Sequence, residues 1–185
     1  NNVDYADLYF QYSKNEFWSI EDGAVNNGTY SIDQGVGIRS VSGEKSAFTY
    51  SDDININALD EACKIVNAIK NQGQSNNIPL KTSKNSNQLY SASNPLDSLD
   101  GLSKIKLLEK VEQIARSLDP RIKKVSASLA AQYEIILIKN FYGQLIEDVR
   151  PLVRLSISVI AEADEKREQG SAGGGGRYNL DYFTD

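Results

Sequence analysis

Residue types able to carry chemistry are scarce or scattered in this chain. It has no histidine and one cysteine, Cys63. Without a histidine to act as general base, neither that thiol nor a serine hydroxyl forms a recognisable nucleophilic site. The acidic residues of the first part show neither calcium-loop spacing nor a fixed pair for acid–base work, so we expect solvated surface groups. These residues are Asp4, Asp7, Glu21, Asp22 and Asp33.

A glycine run from Gly170 to Arg177 is the most unusual local composition. Consecutive glycines let backbone N–H groups converge on an anion or let a substrate backbone come close, and an arginine can hold a carboxylate or phosphate. No Lys-Ser/Thr pair follows, so the run is not a nucleotide P-loop. The composition favours a flexible hinge over contact with a substrate backbone. The candidate residues are Gly173, Gly174, Gly175, Gly176 and Arg177.

Three further arginines are candidates for binding. Arg150 and Arg154 bracket the start of a strand pattern, and Arg39 lies on a predicted hairpin. If they converge, they would form a clamp for an anion or a peptide carboxylate. The alternative that we favour is surface pairing of each arginine with a nearby acid such as Asp148 or Glu44.

The elements that must position these residues begin with strands. The first fifty residues predict a meander of about four strands, with turns at residues 14–16 and at Asn26-Asn27-Gly28. The last two strands, Val36–Val41 and Ser46–Tyr50, form a hairpin through a turn that contains a glycine. Apolar residues then recur at helical spacing from about Asn57 to Gly73.

A long polar loop is predicted over residues 73–99, followed by a second helix from about Leu102 to Leu118 that Pro120 ends. Strand patterns resume after it, with a turn at residues 140–143. Beyond Pro151 the alternation predicts a strand with one buried face.

Grouped strands, two helices and again grouped strands predict an α+β fold. We expect antiparallel β-sheets in two strand groups, with about two amphipathic helices packed on them. Residues 1–169 would form one α+β domain, with potential sublobes 1–72 and 100–169 joined by the loop 73–99. Residues 170–185 would form a glycine-rich hinge.

The composition excludes several classes of partner. The net charge is −5 and the pI is about 4.9, so no broad positive field favours nucleic acid. No run approaches the roughly 20 apolar residues of a membrane helix. A single cysteine is compatible with a reducing compartment, so we expect a cytoplasmic protein.

The hairpin region carries a family resemblance. The stretch from Asp33 to Arg39, followed by Ser42-Gly43-Glu44-Lys45, resembles the N-terminal region of the TldD/PmbA proteins, closest to the TldD branch. These are cytoplasmic bacterial zinc metallopeptidases once labelled modulators of DNA gyrase. Three further stretches agree in order and spacing: residues 4–11, residues 148–156, and residues 166–168 with 173–177.

The resemblance implies a zinc site carried by a His-Glu-x-x-x-His helix with a further cysteine ligand, and this chain has no histidine. We therefore expect the N-terminal, non-catalytic domain of a longer enzyme, with neither metal nor catalytic residues of its own, in which the glycine-rich hinge leads to an absent C-terminal catalytic domain. The family implies a substrate that is a peptide or an unfolded polypeptide, and a homodimer or a heterodimer with a paralogue.

Within such an enzyme this domain would line the cavity, support dimerisation and guide an extended substrate. The alternative is a stand-alone binding or assembly module without peptidase activity. Direct action on gyrase or DNA rests on the old family label alone, and the acidic balance of the chain argues against it.

Overall fold

The computed structural model of the protein describes residues 3–66 and 90–184. These residues form a six-stranded sheet and two α-helices, with short 3₁₀ helices at Pro95–Asp97 and Leu180–Phe183. The strands and helices in chain order are β1 (Tyr5–Glu21), β2 (Ala24–Ser42), β3 (Lys45–Ser51), α1 (Ile56–Val66), α2 (Gly101–Leu118), β4 (Ile122–Asn140), β5 (Leu145–Ala163) and β6 (Lys166–Gly176).

The strand order in the sheet is β3-β2-β1-β4-β5-β6. The hairpins β2–β3 and β5–β6 are antiparallel. The α+β class predicted from the sequence is confirmed, and its two strand groups lie in one sheet. The chain divides into two compact units, each described by itself below: one comprises residues 1–13, 33–88 and 134–149, and the other residues 14–32, 89–133 and 150–185.

In the first unit, α1 covers one face of the β2–β3 hairpin. The carboxamide of Asn55 caps the helix by accepting a hydrogen bond from the backbone N–H of Ala58 at 2.9 Å. Ala62 and Val66 of the helix pack with Val36 and Ile38 of β2 in a buried apolar cluster. Cys63 lies partly buried against the same cluster.

In the second unit, α2 packs on strands β1, β4 and β5. Asp100 caps the helix, because its carboxylate accepts a hydrogen bond from the Ser103 N–H at 2.7 Å. This bond also lowers the pKa of Asp100. The helix ends at Leu118, two residues before Pro120, as predicted. The buried cluster under it comprises Ile20, Leu96, Leu107, Leu108, Ala127, Leu129, Ala131, Val153 and Leu180.

Both turns predicted before residue 30 are wrong. Residues 14–16 lie inside the uninterrupted strand β1, and Asn26-Asn27-Gly28 lies inside β2. The chain turns at Asp22 and Gly23, whose φ angles of 49° and 80° fit a two-residue hairpin turn. Gly28 serves a different purpose, since a Cβ there would lie 2.9 Å from the Trp18 ring.

Some predictions concern residues beyond the described part of the chain. The end of the first helix at Gly73 and the loop over residues 73–89 lie outside it, whereas residues 90–99 contain the short helix Pro95–Asp97. The predicted hairpin at residues 36–50 is confirmed, with Ser42 paired to Lys45 and Gly43 at φ 59°. None of the helices in residues 3–66 and 90–184 is both long and apolar enough to cross a membrane.

Candidate functional site

The glycine run forms most of strand β6. The sequence favours a hinge at this place, whereas the structure pairs Gly170–Gly176 with Val153–Val159 of β5. The backbone of a flexible hinge need not pair with a neighbouring strand. The backbone N–H and C=O groups of this run, in contrast, lie beside those of β5 and can pair with them. The wider domain division, including a hinge over residues 170–185, stays a prediction.

Two of the glycines lie very close to the β5 backbone. A Cβ at Gly175 would lie 2.0 Å from the carbonyl oxygen of Val153, and one at Gly173 would lie 2.8 Å from that of Leu155. A Cβ at Gly174 would meet nothing within 4 Å. Glycine is therefore required by close approach at two positions and is dispensable at the one between them.

β6 is also an edge strand. It stands last in the sheet order, so its outer side pairs with no strand in the described part of the chain. Residues Lys166–Gly175 are exposed. An exposed strand edge presents a row of backbone N–H and C=O groups that can pair with another extended chain.

Arg177 follows directly after this strand. Its Nη1 donates a hydrogen bond to the Pro151 carbonyl oxygen at 3.1 Å, and its Cζ lies 5.5 Å from the centre of the Tyr90 ring. A guanidinium group has five N–H donors, so this bond leaves others for a ligand. Arg177 lines a cavity of about 530 Å³, and the stacked rings of Tyr178 and Tyr182, 4.5 Å apart, lie in the same wall.

Arg154 lies on β5 directly opposite Gly175 in the strand register. It is exposed, and its Nε donates to the hydroxyl oxygen of Ser156 at 3.1 Å. Arg150, half-buried on the same strand, comes four residues earlier and therefore on the same face, at a distance of roughly 13 Å along the strand. The second unit thus holds Arg150, Arg154 and Arg177.

Arg39 belongs to the first unit, where it is paired. Its Nε donates to Asp7 Oδ1 at 3.2 Å and its Nη2 donates to Oδ2, a two-point ion pair. Its Cζ lies 5.6 Å from the centre of the Tyr5 ring. The favoured surface pairing with an acid thus occurs, but with Asp7 on the neighbouring strand rather than with Glu44.

This pairing has electrostatic consequences. The pKa of Arg39 is raised, chiefly because Asp7 accepts its hydrogen bonds. The pKa of the Tyr5 hydroxyl is also raised, first because burial disfavours the phenolate and then because Asp7 lies beside it. The side chain of Asp7 is only 14% exposed, so the prediction of a solvated surface group is wrong for this residue.

Sequence reasoning missed two charged groups that are buried in the second unit. Lys104, 4% exposed, donates from Nζ to Glu16 at 2.6 Å and to the Leu96 carbonyl oxygen at 2.8 Å. Glu16 also accepts from Trp18 Nε1 at 2.6 Å. The only indication of this burial in the sequence is that Lys104 lies at helical spacing from the apolar residues of α2.

Glu112 is the second of these groups. It accepts a hydrogen bond from the Gly23 N–H at 2.8 Å and another from Arg116 Nε at 2.8 Å. Arg116 also pairs with Asp22, and Asp22 accepts from the Val125 N–H at 3.0 Å. The pKa of Asp22 is lowered, chiefly by this backbone bond. These contacts join the β1–β2 turn to α2 and β4.

The donor groups that the structure describes do not form a metal site. No three histidine, cysteine, aspartate or glutamate side chains that the structure describes lie close enough together to hold a metal ion. The complete sequence has no histidine, and its single cysteine packs against an apolar cluster. We therefore derive no chemical step through a metal bound to these residues.

Some known proteins resemble this chain in sequence, and others resemble it in fold. A family model described as PmbA/TldA metallopeptidase domain 1 matches residues 6–71, and one described as the PmbA/TldA metallopeptidase central domain matches residues 94–185. A metalloprotease TldD homolog of Haemophilus influenzae is 50% identical over 184 residues, which cover 98% of this chain and 38% of that protein.

A metalloprotease TldD homolog of Buchnera aphidicola from Schizaphis graminum is 40% identical over 183 residues, or 99% of this chain and 38% of that protein. The chain thus spans 38% of the length of these curated relatives. The crystal structure of TldE from Thermococcus kodakarensis matches with a TM-score of 0.75 at 12% identity and covers 97% of this chain and 41% of that one.

A Bacteroides thetaiotaomicron protein, described as a candidate modulator of DNA gyrase, matches with a TM-score of 0.76 at 18% identity. The match covers 96% of this chain and 42% of that one. At such low identities, these two structures establish the fold alone.

Proposed function

The chain belongs to the PmbA/TldD metallopeptidase family, and we propose that it forms the N-terminal, non-catalytic domain of a TldD-like peptidase that cleaves peptides or unfolded polypeptides. Its relatives are named metalloproteases, which implies a metal cofactor in the family. The identity of that metal as zinc is part of the proposal. Because this chain has no histidine, we assign bond cleavage to residues beyond these 185 and expect the chain alone to be inactive.

The observation that carries the proposal is the exposed edge of β6. An extended peptide can add to such an edge as a further strand, because its N–H and C=O groups match those of the strand. Backbone pairing of this kind tolerates many side-chain sequences, which suits a peptidase for unfolded segments. The glycines contribute no side chains that would obstruct the approaching peptide.

Two arginines near the β6 edge supply positive charge. Arg154 lies beside the glycine strand and Arg177 lies at its end, and both are exposed. We assign them to substrate carbonyl or carboxylate groups, for which arginine offers several N–H donors in a fixed plane. Arg39 and Arg150 remain candidates for contact with substrate or with a second protomer.

The proposed setting is a cytoplasmic dimer, either of identical chains or with a paralogue. One of the structures with this fold is named TldE, which supports a search for such a paralogue. The domain would line the cavity in which peptides are cleaved.

The test is peptide hydrolysis by the full-length protein. Removing one charged donor to the substrate costs roughly 1.5–3 kcal/mol, so Arg154→Gln and Arg177→Gln should each raise KM about tenfold or more. Arg121→Gln is the matched control, since Arg121 is an exposed arginine outside β5 and β6, paired with Asp119 at 2.6 Å. Its KM should stay at the wild-type value.

If KM is unchanged in both Arg154→Gln and Arg177→Gln while circular dichroism shows an intact fold, these arginines do not guide the substrate. A full-length protein that binds unstructured peptides without cleaving them would instead favour the binding or assembly module.

A further inference from the structure

One face of the first unit carries an aromatic pocket that the proposed function does not use. Strand alternation places Val36 and Ile38 on the side of α1, and Gly37 and Arg39 on the opposite side. In the hairpin register, Gly37 lies opposite Tyr50 and Arg39 lies opposite Phe48. That opposite side contains a pocket of about 420 Å³.

The walls of the pocket are aromatic rings. Tyr9, Phe48 and Tyr50 all line it and are 37%, 66% and 74% exposed. Two glycines of β2 lie between them, and a Cβ at Gly37 would approach the Phe48 ring to 3.1 Å. The absence of a side chain at Gly37 thus leaves room for Phe48 to lean over the strand, and the ring faces remain open to a ligand.

Carboxylates complete the lining. Asp33 and Asp52 both line the pocket and are exposed, and the Asp52 carboxylate lies by the floor, 3.9 Å from the position of a Cβ on Gly35. Aromatic faces attract cations through the negative potential of the ring, and a nearby carboxylate strengthens the preference for a positive charge. The net charge of −5 on the chain acts in the same direction.

The same face already contains one guanidinium group bound in this way. Arg39 lies over the Tyr5 ring at 5.6 Å and is held by both oxygens of Asp7. An aromatic ring and a carboxylate, two residues apart on β1, therefore bind an arginine of the chain itself. The pocket repeats these two components with three rings and two carboxylates.

We propose that the pocket lined by Tyr9, Phe48, Tyr50, Asp33 and Asp52 binds a basic side chain, arginine or lysine, of a polypeptide. A flat guanidinium group can lie against the ring faces while its N–H groups donate to the carboxylates. The stretch Asp33-Gln34-Gly35-Val36-Gly37 thereby supplies a floor and one acid to the site. This binding does not depend on peptidase activity.

The test uses Nα-acetyl-arginine methylamide as the probe and saturation-transfer NMR with the full-length protein. Binding should be detectable at millimolar concentrations, as expected for a single side chain. The citrulline analogue has the same shape without the charge, and the norleucine analogue has an apolar chain. Both should bind at least fivefold more weakly than the arginine probe, because a neutral group loses the attraction to rings and carboxylates.

Two variants locate the site. Tyr50→Leu keeps apolar bulk but removes a ring face, and Asp52→Asn removes one charge; each should weaken arginine binding at least threefold. Tyr30→Leu is the matched control, because Tyr30 is a similarly exposed tyrosine, 58%, that does not line the pocket. Its binding should equal that of the wild type.

Equal binding of the arginine and citrulline probes would overturn the proposal, as would stronger binding of norleucine, which would indicate an apolar groove. Absence of any binding up to about 10 mM would also overturn it. Since Phe48 and Tyr50 are mostly exposed, their substitution should leave the fold intact, and Phe48→Leu gives a second, independent variant.

Discussion

Gly175 packs so closely against Val153 that a Cβ at Gly175 would lie 2.0 Å from the Val153 carbonyl oxygen. Gly174 is its neighbour on the same strand, and a Cβ there meets nothing within 4 Å. Adjacent glycines of one strand therefore differ in what they tolerate. The difference can be measured with the smallest substitution available, glycine to alanine.

Gly175→Ala should lower the free energy of unfolding by about 1–3 kcal/mol, because the added methyl group forces β6 away from β5. Gly174→Ala should leave it unchanged or raise it by about 0.5 kcal/mol, since alanine loses less backbone entropy on folding. Urea unfolding of both variants measures this. Equal stabilities for the two would mean that β6 does not lie against β5 as described.

Lys104→Met should lower the free energy of unfolding by about 3 kcal/mol, because it leaves Glu16 largely buried without its countercharge. The matched control is Lys106→Met on the same helix. Because Lys106 is exposed, this substitution should change the free energy of unfolding by about 0.5 kcal/mol or less. A double-mutant cycle with Glu16→Gln should give a coupling energy of about 1 kcal/mol or more. Equal effects of the two lysine substitutions would contradict the buried pair.

Asp22, in the β1–β2 turn, predicts that the stability of the folded protein depends on pH. Because folding lowers the pKa of Asp22, its carboxylate favours the folded protein. This stabilisation is present above the unfolded-state pKa of about 3.9 and is lost as the pH falls through the lower folded-state value. Asp22→Asn should therefore lower Tm at neutral pH, and the gap to wild type should narrow below about pH 4. A gap of constant size from about pH 7 to about pH 2.5 would exclude this role.

The two-point pair of Arg39 with Asp7 predicts that replacing Arg39 with lysine lowers stability. A lysine ammonium group can neither donate two parallel bonds to one carboxylate nor stack flat on Tyr5. Arg39→Lys should lower the free energy of unfolding by about 1 kcal/mol or less, since the guanidinium is half-exposed. In the double variant, Asp7→Asn should add little to the loss of stability that Arg39→Lys causes. Fully additive losses would show that the two residues do not interact.

Local patterns predicted much of the fold. The alternation of Val36 and Ile38, with Gly43 in the turn, predicted the β2–β3 hairpin, and helical spacing with Pro120 predicted the extent of α2. These features depend on neighbouring residues only. The turn at Asn26-Asn27-Gly28 was wrong because Gly28 accommodates the Trp18 ring of the adjacent strand, a contact that local sequence does not encode.

The candidate site was less predictable for the same reason. The glycine run was recognised, but its pairing with β5 depends on the strand register, which places Arg154 opposite Gly175. The partner of Arg39 lies 32 residues away on another strand. Lys104 and Glu16 are likewise 88 residues apart, so their burial as a pair depends on how the strands and helices pack.

Hydrolysis of an unstructured peptide, measured with the full-length protein and with residues 1–185 alone, tests most directly whether this domain is non-catalytic. We expect hydrolysis by the full-length protein that a chelator abolishes and zinc restores, and none by residues 1–185. Chelator-sensitive hydrolysis by residues 1–185 alone would contradict this division of roles, because residues 3–66 and 90–184 bring together no group of side chains that could bind the metal.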